Sequence, residues 1–80
     1  MWKDEAWLLD MLNACRRIER HAQGTDGTAF LCDDLRQDAI VRQFTVLGEA
    51  AKRISPEYRT AHPEIPWQQI TGFRDVVVHQ

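Results

Sequence analysis

The chain has little of most things that would mark a function class. Its eighty residues include two cysteines, Cys15 and Cys32, far apart and outside any C-x-x-C pair. Zinc-binding and thioredoxin-like readings are therefore weak. The two are read as reduced thiols of a cytoplasmic protein, buried or half-buried like small hydrophobes. No apolar run approaches the ~18 residues that a membrane span needs. The start of the chain carries Asp4 and Glu5 in place of a basic stretch followed by an apolar one, so it does not read as a secretion signal. Positive charge is also scarce: ten Lys and Arg against twelve Asp and Glu, a net of -2. That argues against a broad basic surface coating nucleic acid. Any RNA contact must be local, through a few arginines. With three prolines and four glycines the chain has no low-complexity tract or long linker. Its length allows one domain with a modest core, and a partner subunit is expected to complete it.

What is present is helical periodicity. Trp7, Leu8, Met11, Leu12, Cys15, Ile18 and Ala22 recur at spacings of three and four. They predict a first helix from Lys3 or Asp4 to Ala22, stopped by Gly24. Arg16, Arg17, Glu19 and Arg20 lie beside or opposite the stripe as a solvated face. A short helix is expected over 28–32, anchored by Phe30 and Leu31. Asp34 with Gln37 has the spacing of a capping box. It opens a second long helix with Leu35, Ala39, Ile40 or Val41, Phe44, Leu47, Ala51 and Ile54 in register. Gly48 inside that helix implies close approach of a neighbour. Ser55-Pro56 reads as an N-cap followed by proline in the first turn, starting a short helix over 56–61. Pro66-Trp67 opens a last helix containing Ile70, Phe73, Val77 and Val78. Three consecutive valines would suit a strand, but no second strand is present to pair with them. The expected fold is all-α, with two long helices and shorter C-terminal ones. Trp67 is expected to be a core anchor, and His21 and His62 to be surface residues.

The chemistry is concentrated at Arg74, Asp75 and His79. Arginine holds a phosphate in a planar fork, and histidine moves protons near neutral pH. Metal-free RNA cleavage needs a base for the 2′-hydroxyl, an acid for the leaving oxygen and a cation for the crowded phosphorane. One chain offers one such histidine; a twofold dimer offers two histidines and two arginines. His79 is the candidate general acid or base and Arg74 the phosphate holder. Asp75, about 40° from His79 on an ideal helix, is placed to orient the imidazole. Arg74 is about 140° from His79 on the same wheel, a gap that its long side chain or a partner chain must close.

Taken together, these stretches resemble the HepT-like toxins of the HEPN superfamily. The resemblance is carried by Trp7 to Leu12 with Ile18-Glu19-Arg20, by Gln37 to Arg42, and by the run Leu47 to Ser55. It continues through Pro63 to Trp67, Ile70 to Asp75, and His79. It implies an antiparallel helical bundle, a homodimer, and a metal-independent endoribonuclease with no cofactor. It also implies two partners: RNA as substrate and a cognate nucleotidyltransferase of the MNT type as antitoxin. In the family a tyrosine commonly stands two positions after the histidine and can receive AMP from the antitoxin; here that position falls just past Gln80. A further C-terminal helix is also usual, so residues 1–80 are expected to form one HEPN domain lacking its final helix. The alternative is a non-catalytic module that docks a nucleotidyltransferase.

Overall fold

The computed structural model describes the backbone of residues 2–78 and the side chains of residues 3–72. The elements are α1 (Trp2–Ala22), α2 (Gly27–Leu31), α3 (Asp34–Arg53), α4 (Pro56–Ala61) and α5 (Trp67–Val78). No strand occurs among the described residues, and the three valines are helical. The fold is the all-α antiparallel bundle expected, with two long helices and shorter C-terminal ones.

Both ends of the α1–α3 pair are tied, and the ties show that it is antiparallel. At one end Asp4 of α1 accepts hydrogen bonds from the N–H and hydroxyl of Ser55, just past α3. At the other, Arg36 of α3 donates to the carbonyls of His21 and Gln23, where α1 runs out. The last carbonyls of a helix lack intrahelical donors, so a guanidinium there satisfies orphaned acceptors. Gly24 follows with φ 73°, the left-handed conformation that ends α1. Acids in the first turn of α1 and Arg20 and His21 in its last complement the helix dipole.

Small residues set the spacing between the two long helices. Ala14 of α1 and Ala50 and Ala51 of α3 are buried, with Met11, Leu47 and Ile54 filling the space around them. Ile54 is 1% exposed. Burying an isoleucine completely stabilises the fold by about 2–3 kcal/mol. Gly48 is also buried in α3. The third long element, α5, starts beside α4 and packs back along α3, leaving α3 in the middle.

Four details differ from the periodicity reading. The stripe of α1 that faces α3 runs through Asp4, Trp7, Met11, Ala14 and Ile18. Alanine at position 14 lets the backbones approach, which leaves Leu12 and Cys15 on an exposed flank. Both cysteines are therefore exposed, against the expectation of burial. The cap of α3 is Asp33, one residue earlier than expected; its side chain accepts from the Arg36 N–H. Gln37 is used elsewhere, donating to the Phe30 carbonyl to hold α2 against α3. Leu31 and Leu35 are 75% and 84% exposed, because Arg36 and Gln37 take the inward positions at that end.

Candidate active site

The helix that carries the candidate chemistry is built from its N-terminus. Ser55 caps α4 by accepting from the Tyr58 N–H, with Pro56 at the first turn, as expected. His62 closes α4, and its carbonyl accepts from the indole N–H of Trp67 at 3.0 Å. The Tyr58 ring stacks on His62 at 4.2 Å and meets Trp67 edge-on at 6.1 Å. Trp67 is thus the anchor that sets where α5 begins, and Ile70, one turn on, packs on the core. His62 is more than a surface residue. Its Nδ1 lies 3.1 Å from the Glu64 carboxylate, whose pKa is lowered, first by its own backbone N–H and then by His62.

From this start α5 runs without a break to Val78. Arg74 and Asp75 therefore lie on one continuous helix, and the strand alternative is gone. Their side chains, that of Phe73, and all of His79 lie outside the described residues. Gly72, the residue two before Arg74, is exposed, with open space where a Cβ would stand. Among the described residues no group of three His, Cys, Asp or Glu side chains could hold a metal ion. Nor is any described helix long and apolar enough to cross a membrane. Arg16, Arg17 and Arg20 are exposed along α1, matching a solvated face.

Two arrangements had no signal in the sequence, because each joins residues far apart in the chain. One is the Asp4–Ser55 tie, with a 2.7 Å hydroxyl bond that holds the Asp4 carboxyl below its usual range. The other is the Arg53 guanidinium, placed 5.0 Å over the Trp7 ring. Both belong to the Leu47-to-Ser55 run. Within it Ala50, Ala51 and Ile54 form core, Ser55 caps α4 and binds α1, and Arg53 covers an aromatic.

The profile of the family described as ribonuclease HepT-like matches residues 11–80. The chain belongs to the HepT-like family. The match covers α3, α4 and α5, and it reaches both Arg74 and His79. Named relatives agree. This HepT-like chain is 36% identical over 73 residues to "Probable ribonuclease HepT" of Thermococcus cleftensis, covering 91% of the chain and 66% of the relative. It is 31% identical over 74 residues to a "Putative RNase" of Caldanaerobacter subterraneus subsp. tengcongensis, covering 92% and 66%. A "Putative RNase" of Methanocaldococcus jannaschii is 32% identical over 76 residues, covering 95% and 66%. The chain thus spans about two thirds of the length of these curated relatives. No solved structure matches it.

Proposed function

We propose that this HepT-like chain is the toxin of a toxin–antitoxin pair and acts as a metal-independent endoribonuclease in the cytoplasm. The observation that carries the reading is the family match running through α5 to residue 80, over Arg74, Asp75 and His79. The names of the relatives support ribonuclease chemistry at the family level. The continuous helix supports a fixed spacing between Arg74 and Asp75.

The mechanism follows from what the residues can do. The 2′-hydroxyl attacks the adjacent phosphorus, and its proton passes to a histidine acting as base. The pentacovalent phosphorane carries extra negative charge, which the Arg74 guanidinium offsets through paired N–H donors. A second histidine protonates the leaving 5′-oxygen. In a homodimer, His79 of each chain fills one of these roles. Asp75 orients the imidazole and favours its charged form. The products are a 2′,3′-cyclic phosphate and a free 5′-hydroxyl. The partner is a nucleotidyltransferase antitoxin of the MNT type.

Incubation of the purified protein with RNA in EDTA tests this reading. Cleavage leaving cyclic-phosphate ends is expected, with Arg74→Ala and His79→Ala each lowering the rate by about 10²–10⁴-fold. Full activity in both variants would sink the assignment. Antitoxin binding without any cleavage would make the chain a docking module instead.

A further inference from the structure

We infer that Trp7, Arg53 and Lys3 form a second binding site, a subsite for one nucleotide of single-stranded RNA. The inference rests on the ribonuclease reading for its choice of ligand, but on separate residues for its geometry.

The site lies where the first turns of α1 meet the end of α3. Arg53, the last residue of α3, holds its guanidinium carbon 5.0 Å from the Trp7 ring centroid. Lys3 is exposed and stands four residues before Trp7, one turn away on the same face of α1. Trp7 is half-buried: part of the indole packs on the core and part is open. Two concavities of about 390 and 570 Å³ flank these residues. Such volumes fall in the range of small-ligand sites, roughly 300–1,000 Å³.

The lining decides what kind of ligand fits. The larger concavity is walled by Lys3, Ala6, Trp7 and Arg53, two cations and an aromatic with no acid. The smaller adds Asp4, Ser55 and Glu57. Both Asp4 oxygens are already bound by Ser55, and Glu57 sits in the first turn of α4, where a helix favours an anion. The acid-free side therefore suits a phosphate, held between the Lys3 ammonium and the Arg53 guanidinium. The guanidinium lies over the indole, so a base stacks on its outer plane, with the open edge of the ring beside it. A guanidinium over a ring supports the stack through a cation–π contact. An acidic peptide would use the two cations and leave the ring unused, so RNA fits the whole set better.

The position adds a length requirement. The subsite is at the C-terminal end of α3, the end where α5 begins. The twelve residues of α5 carry the chain about 18 Å further before Val78. Only a strand several nucleotides long reaches both this subsite and the far end of α5.

The test uses the full chain carrying His79→Ala, which binds RNA without cutting it, and an oligouridylate about a dozen nucleotides long. Lys3→Gln and Arg53→Gln are each expected to weaken binding roughly fivefold, with melting temperature unchanged in Lys3→Gln, whose side chain is exposed, and slightly lowered in Arg53→Gln, which loses the contact with Trp7. Trp7→Phe keeps an aromatic in the core and is expected to remove most of the tryptophan quenching caused by the oligomer. With His79 intact, Lys3→Gln and Arg53→Gln should raise KM for the oligomer roughly fivefold, leave kcat unchanged, and leave a dinucleotide substrate unaffected. Unchanged oligomer affinity in both charge variants overturns the subsite. If Arg74→Ala and His79→Ala still abolish cleavage in that case, the nuclease reading stands without it. Weakened oligomer binding in a protein that never cleaves RNA keeps the subsite and ends the nuclease reading. Loss of nucleotidyltransferase binding at unchanged RNA affinity overturns it in favour of an acidic protein surface.

Discussion

Single residues in this chain divide by whether their backbone or their side chain is used. Gly24 and Gly72 show the backbone case in opposite senses. Gly24 sits at φ 73°, where an L side chain is strained although space is free around it. Gly72 lies inside α5 in ordinary helical conformation with open space at the Cβ position. Gly24→Ala should therefore destabilise by about 1 kcal/mol, and Gly72→Ala should stabilise by about 0.5–1 kcal/mol. Thermal melts of the two variants check this; shifts of the same sign would refute the backbone account. Gly24 was legible as a helix stop from its place after a run of α1 periodicity. Arg53 is the side-chain case. Its neighbours in sequence say nothing of Trp7, forty-six positions earlier, because only the antiparallel packing of α1 on α3 brings them together.

At the scale of elements, the helices were legible because each carries its own punctuation. Ser55-Pro56, Gly24 and Pro66-Trp67 bound α4, α1 and α5 where they were expected. The cap of α3 was displaced by one residue because Asp33 and Asp34 are chemically equivalent there, and Gln37 was taken by α2. The joint between elements is the Asp4–Ser55 tie. It serves α1, α3 and α4 at once, since Ser55 also caps α4. Its pH dependence has a definite sign. Hydrogen bonds from Ser55, the hydroxyl first and the N–H second, lower the Asp4 pKa below 3.8 in the folded state. The contribution to stability is then full above 3.8 and is lost as pH falls through the lower folded value. Asp4→Asn should be less stable than the parent at pH 7, with the difference shrinking below about pH 3.8. A difference that stays constant from pH 7 to pH 2, measured by denaturant titration, would show that the charge of Asp4 is not what Ser55 binds.

At the scale of the molecule, the decisive fact is how little is fully buried among the described residues. The hydrophobic core of the described residues is Met11, Ala14, Leu47, Ala50, Ala51 and Ile54, half of it alanine. Leu9, Leu12, Leu35 and Val41 remain exposed. Such a balance suits a chain that gains stability from a second copy, and the proposed chemistry needs two histidines. A homodimer should show a melting temperature that rises with protein concentration and a doubled mass in sedimentation. A concentration-independent melt with monomer mass would remove the dimeric site from the mechanism. The sequence by itself determined the helical class and most helix ends, and it supplied Arg74, Asp75 and His79 as the candidate chemistry. Each of these depends on residues within a few positions of one another, where spacing and capping chemistry act. Tertiary structure alone decided which flank of α1 is core, that both cysteines are exposed, and that Asp4 meets Ser55 and Trp7 meets Arg53. The physical reason is that two adjacent apolar stripes on one helix are equal in periodicity. Only the close approach permitted by Ala14 against Ala50 and Ala51 selects between them.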